Sequence, residues 1–142
     1  MMPQQQLKLG DYGFAKVKTE SSLVSSTVSK KKSIGTTRWR APETFGKKPQ
    51  WTPKADIYSL AITFYEILCQ KIPFHEEADD SAVPLMIKEG DRPDLPEDPK
   101  LKPLTSLIES AWNGNFKERP TADYLLSEIM KIEEQLPCKI IF

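Results

Sequence analysis

The stretch Lys54–Cys69, K-A-D-I-Y-S-L-A-I-T-F-Y-E-I-L-C, constrains the fold of this chain more than any other. Its apolar residues Ile57, Tyr58, Leu60, Ala61, Ile62, Phe64, Tyr65, Ile67 and Leu68 run nearly all the way round a helix instead of along one stripe. A helix of that kind has to be buried. Thr52 stands where it can cap the first turn, Pro53 where a missing N–H costs no hydrogen bond, and Pro73 closes the region beyond. At about 1.5 Å per residue the helix runs roughly 24 Å, the width of a small domain. The pattern therefore predicts a central pillar.

A chain of 142 residues with 39% apolar content can build one core around such a pillar. Twenty basic and twenty acidic residues cancel, so no net field favours nucleic acid or an anionic membrane, and neither is expected as a partner. The N-terminal M-M-P-Q-Q-Q-L-K-L lacks the charged and apolar regions of a signal peptide. Tyr58–Cys69 is interrupted by Glu66 and is too short to span a bilayer. Cys69 and Cys138 match no metal or redox spacing, which points to plain thiols in an intracellular, cytoplasmic setting.

Along the chain, Leu7, Leu9, Phe14, Ala15 and Val17 suggest two short strands around a turn at Asp11–Gly13. From Thr19 to Thr37 the sequence is Ser/Thr-rich, carries the run Lys30-Lys31-Lys32, and reads as a long exposed loop. A proline-punctuated link, Lys47–Thr52, enters the pillar. An acidic loop, Glu76–Asp80, then leads to a short helix near Ser81–Glu89, which tolerates Pro84 only in its first turn. Arg92–Pro103 reads as an extended connector, Leu104–Trp112 and Thr121–Leu136 as two further helices, the last amphipathic through Tyr124, Leu125, Ile129 and Ile132. The fold class is mainly α, with a short N-terminal strand pair. Phe74 and Trp112 are core candidates, and His75 has no partner that would give it a role.

The order of motifs is more specific than any one of them. A D-Y-G turn at Asp11 is followed by the Ser/Thr-rich segment and then by G-T-T-R-W-R-A-P-E at Gly35–Glu43. D-I-Y-S-L at Asp56–Leu60, I-P-F at Ile72–Phe74 and W-N-G-N-F-K-E-R-P at Trp112–Pro120 complete the series. In this order the chain resembles the eukaryotic protein kinase family, with Trp39 similar to the tyrosine-kinase-like branch. The resemblance runs from residue 7 to about 136 and implies a partial kinase C-lobe cut from an α+β parent fold. Residues 1–6 would be a tail, 7–136 the partial domain with activation segment 11–43 and helical subdomain 44–136, and 137–142 a second tail.

The resemblance implies roles position by position. Asp11 is similar to the aspartate that joins Mg²⁺ to the ATP phosphates, and Tyr12 takes the place usually held by Phe. Ser21, Ser22, Ser25, Ser26, Thr27, Ser29 and Ser33 become candidate phosphosites, where a phosphate could order the loop by pairing with Arg or Lys. Thr36 resembles the threonine that supports the catalytic aspartate of Ser/Thr kinases. Glu43 and Arg119 would form a buried ion pair, and Asp56 would accept N–H bonds from a catalytic loop. One side of the pillar would meet the last two helices, and the side carrying Asp56 would face that loop and a preceding helix, neither of which residues 1–142 carry, so that side is expected to lack its partners.

The remaining parts of a phosphoryl-transfer site precede the D-Y-G turn in this family: a Gly-rich cover, a strand lysine with its helix glutamate, and a loop bearing the base aspartate. Only ten residues stand before Asp11, and residues 1–142 carry no H-R-D-like tripeptide. A parent kinase would use ATP and Mg²⁺ on Ser/Thr, or Tyr, of protein substrates. This chain alone is expected to be inactive and to hold no cofactor. The alternative is a catalytically empty kinase-like module that binds a docking partner.

Overall fold

The pillar forms as α1, Pro53–Cys69, in a computed structural model that describes residues 37–135. Pro53 occupies the first turn, and Thr52 is the N-cap in extended backbone. The Thr52 hydroxyl nevertheless makes no capping bond and is buried without a partner. The first turn is closed by the backbone instead, the Ala55 N–H donating to the Thr52 carbonyl at 2.9 Å. At the other end Gln70 turns left-handed (φ 52°, ψ 36°), and its side-chain amide donates to the Ile67 carbonyl at 2.6 Å.

Burial on α1 is more one-sided than its composition suggests. Ala55, Ile57, Tyr58, Ala61, Ile62 and Tyr65 are buried, whereas Leu60 and Ile67 are 39% and 49% exposed. Asp56 is exposed with them and Phe64 is half-buried. Positions 56, 60, 64 and 67 recur at helical spacing, so they form one open stripe opposite the core face. Burial on nearly every side, which the apolar pattern alone predicts, is not found; the helix has one packed face, and its open stripe lies on the side carrying Asp56, where the resemblance expects a partner that residues 1–142 do not carry.

Helix α2, Val83–Glu89, carries Pro84 in its first turn and buries Val83 and Ile87, one turn apart. It stops at Gly90, whose φ of 107° lies in the left-handed region that a side chain would resist. Beyond it, residues 92–98 have no regular structure. A single 3-10 turn, Pro99–Leu101, opened by the Asp98 carboxylate accepting from the Lys100 N–H at 2.9 Å, leads into α3, Lys102–Ala111. Pro103 thus belongs to the first turn of α3, where a proline costs no bond, and not to the connector.

The last helix, α4, spans Ala122–Gln135, and the Thr121 hydroxyl accepts from the Tyr124 N–H at 3.2 Å. Its apolar face rests on buried Leu125 with half-buried Ile129 and Ile132, while Tyr124 is 52% exposed. α3 lies against α1, and α4 packs mainly on α3, so the pillar meets the final helix chiefly through α3. The core gathers Tyr58, Ile62, Tyr65, Ile87, Ile108 and Trp112, with the Tyr65 and Trp112 rings tilted at 44° and 6.3 Å apart. Phe74 is buried in the same core, and His75 lies at the surface beside Glu76.

No strand occurs among the described residues. The expected strand pair at 7–17, the turn at Asp11 and the tail 137–142 lie outside them. No helix of the described residues is long and apolar enough to cross a membrane.

Candidate functional site

Arg119 follows a short 3-10 turn, Phe116–Glu118, which places its side chain in the interior, where none of it is exposed. Its guanidinium meets Glu43 fork to fork: Nη1 donates to Oε1 at 2.7 Å and Nη2 to Oε2 at 2.8 Å. Nη1 also donates to the Lys54 carbonyl and Nε to the Asn113 carbonyl, each at 2.8 Å. A buried charge is tolerable only when paired and hydrogen-bonded in this manner. Lys54 answers from α1, its Nζ donating to the Arg119 carbonyl and, at 3.1 Å, to that of Pro120.

Tyr58 forms the apolar wall of this cluster. The Arg119 guanidinium lies 5.0 Å from its ring centre and that of Arg92 5.1 Å, both within cation–π range. Arg92 donates from Nε to the Trp112 carbonyl at 3.0 Å and from Nη1 to those of Ile87 at 3.2 Å and Asp91 at 2.6 Å. It thereby ties the ends of α2 and α3 to α1. Burial lowers the pKa of Arg92 from its ordinary value. The Tyr58 hydroxyl is buried with no hydrogen-bond partner. Burial pushes its pKa up to about 12, against the pull of Arg92 and Arg119.

The segment that carries Glu43 is fastened upstream by three side chains in a row. Arg38 donates from Nη1 to the carbonyls of Pro73, at 2.9 Å, and Phe74, and from Nη2 to that of Glu77 at 2.8 Å. Its Nε reaches Asp80 Oδ1 at 2.8 Å. Phe74 is held left-handed there (φ 55°), a backbone state unusual for a bulky residue. Trp39 donates its indole N–H to Glu66 Oε2 on α1 at 3.0 Å. Arg40 lies 4.5 Å from the Phe45 ring centre and 5.2 Å from that of Trp51, and bonds the Thr44 carbonyl at 2.7 Å.

The structure brings Glu43 and Arg119 together and leaves Asp56 apart from them, exposed in the first turn of α1. Asp11, Thr36, Ser21, Ser22, Ser25, Ser26, Thr27, Ser29 and Ser33 lie outside the described residues. Among the described residues no three His, Cys, Asp or Glu side chains are grouped as a metal site would need. Sequence reasoning gave no role to Arg38, Arg40, Lys54 and Arg92, and read Tyr58 only as an apolar residue of the pillar. Lys54 did carry a signal, because a cation in the first turn of a helix opposes the helix dipole and needs some other reason to be there.

Comparison with known proteins shows the family of the chain. The protein kinase domain family model matches residues 1–130. The chain belongs to that family. A light-sensor protein kinase of Ceratodon purpureus is 34% identical over 129 residues, covering 81% of this chain and 10% of the relative. Serine/threonine-protein kinase STY17 of Arabidopsis thaliana is 32% identical over 130 residues, 92% of this chain and 21% of its own length. Serine/threonine-protein kinase mos of Patiria pectinifera is 32% identical over 119 residues, covering 84% and 34% respectively. The kinase domain sequence here therefore spans between a tenth and a third of the length of these relatives, and is homologous to Ser/Thr protein kinases.

Proposed function

We propose that residues 7–136 are the C-terminal part of a kinase catalytic domain of the tyrosine-kinase-like branch, from an intracellular, cytoplasmic enzyme. The parent transfers the ATP γ-phosphoryl group to Ser or Thr, or to Tyr, of protein substrates. The observation that supports this best is the buried Glu43–Arg119 pair, which fastens the end of segment 11–43 to the turn before α4 within helical subdomain 44–136. A substrate-facing segment needs one such fixed end if its other part is to move or be ordered by phosphate on Ser21, Ser22, Ser25, Ser26, Thr27, Ser29 or Ser33.

In this reading Asp11 offers a lone carboxylate at a turn, the donor type that Mg²⁺ takes when phosphates and waters complete its shell. Bound there, the ion would neutralise charge on the nucleotide phosphates. Thr36 supports the catalytic aspartate, and Asp56 accepts from the catalytic loop, both of those parts belonging to sequence that residues 1–142 do not carry. A second reading, a kinase-like module that binds without catalysing, is favoured by the exposed apolar residues of α2 and α4. Leu85 is 60% exposed, Leu126 59% and Met130 55%.

The reading frame upstream of Met1 separates the two. An in-frame V-A-x-K and H-R-D run supports the catalytic parent, whereas a cellular product of 16.2 kDa supports the module. Calorimetric titration of the 142-residue chain with Mg²⁺ and ATP is expected to show no saturable binding. Saturable binding would overturn the placement of the nucleotide-holding parts outside this chain.

A further inference from the structure

We infer that the groove beneath the connector between α2 and α3 takes an extended, basic segment of a partner protein. The groove holds about 800 Å³ and lies between residues 92–99 and α3. Its apolar lining includes Leu95, Pro96 and Trp112, and its rim carries the carboxylates of Asp94, Glu97, Asp98 and Glu109. Two cations stand against those four carboxylates, Arg92 and Lys102. Arg92 is engaged with three backbone carbonyls and the Tyr58 ring. Lys102 lies 3.8 Å from Glu109 in an exposed pair, which contributes little.

Asp98 caps the Lys100 N–H, whereas Asp94 and Glu97 are exposed and make no ion pair among the described residues. The groove is thus locally negative on a chain whose net charge is zero. That sign repels phosphate and nucleic acid and draws Lys and Arg side chains, steering their approach. The backbone supplies the third element. Residues 93–97 make no backbone–backbone hydrogen bond among the described residues, so the N–H groups of Asp94, Leu95 and Glu97 are not committed there to a helix or strand, as edge pairing with an extended chain would require. An apolar floor between acidic rims, beside unpaired backbone, fits a peptide in which Lys or Arg flanks a small apolar residue or proline. The inference goes beyond phosphoryl transfer and stands under either reading of the chain's function.

The test is fluorescence anisotropy of a labelled hexapeptide, Lys-Arg-Leu-Pro-Lys-Arg, with the 142-residue chain, whose helical content is checked by circular dichroism. Saturable binding that weakens as salt rises is expected. The double change Asp94→Lys with Glu97→Lys, on an exposed connector, should weaken binding roughly tenfold, and Leu95→Ser severalfold through the floor. A control on α4, Glu133→Lys with Glu134→Lys, should leave binding within about twofold. Equal binding of Glu-Glu-Leu-Pro-Glu-Glu, an equal loss in the α4 control, or no binding by the folded chain would each overturn the inference. So would self-association through the groove, seen as sedimentation that depends on concentration and is abolished by the connector double change.

Discussion

Lys54 and Arg119 hold each other reciprocally: the Lys54 ammonium donates to the Arg119 carbonyl, and the Arg119 guanidinium donates to the Lys54 carbonyl at 2.8 Å. Each side chain satisfies the other's backbone, so the start of α1 and the turn before α4 are joined in both directions. The same guanidinium holds Glu43, and three distant stretches meet at one planar cation.

Removing either end of that ion pair leaves the other charge stranded in the interior. Arg119→Met or Glu43→Leu is expected to destabilise the fold by about 3–5 kcal/mol, measured by urea unfolding. Arg119→Lys should recover little, since an ammonium cannot reproduce the two-pronged contact. The double variant Glu43→Leu with Arg119→Met should cost less than the sum of the singles, because it strands no charge.

Tyr58→Phe removes a hydroxyl that is buried without a partner, and is expected to be neutral or stabilising by up to about 1 kcal/mol. The pH dependence has a definite sign. The folded-state pKa is about 12 against an ordinary 10.0, so the native state keeps this proton after the unfolded chain has lost it. Stability from this group is complete below pH 10 and falls between pH 10 and about 12. Unfolding free energies of wild type and Tyr58→Phe should therefore diverge over that interval, with the variant declining less.

Arg38→Ala should release the loop after α1. Its guanidinium serves three carbonyls and Asp80, and charge-assisted bonds of this kind contribute about 1.5–3 kcal/mol together with local order. Hydrogen exchange at Glu77–Asp80 is expected to accelerate while the amides of α3 stay protected. Equal acceleration in both regions would mean that Arg38 supports the whole fold and not this loop.

Glu66→Ala deletes the acceptor of the Trp39 indole N–H. A cost of about 1 kcal/mol is expected, together with a red shift of tryptophan emission as the ring gains water. Glu66→Gln, which keeps an acceptor, should restore most of both.

Periodicity made α1 legible, along with its proline start and the approximate places of α2, α3 and α4. Periodicity alone did not tell which stripe would lie open; the resemblance did, because the side carrying Asp56 is the one expected to face a loop that residues 1–142 do not carry, and Leu60, Phe64 and Ile67 lie on that side. The start of α3 was misplaced by two residues for a physical reason: Pro103 breaks a helix interior but is harmless in a first turn. Glu43 and Arg119 could be paired in advance only through the resemblance, since no local rule links positions so far apart. Arg38 and Arg92 were invisible because most of their partners are backbone carbonyls, which no sequence marks, and the others, Asp80 and the Tyr58 ring, lie more than thirty positions away along the chain.

Glu43 and Arg119 are 76 positions apart in the chain, and that separation bears on when their contact forms. Helical turns close within microseconds, but a pair that must first close so long a loop waits until the intervening helices have gathered. Its stabilisation then falls mainly on the native side of the folding barrier. Breaking the pair would leave the folding rate nearly unchanged and shorten the lifetime of the folded state, so this contact sets how long the structure lasts more than how fast it is reached.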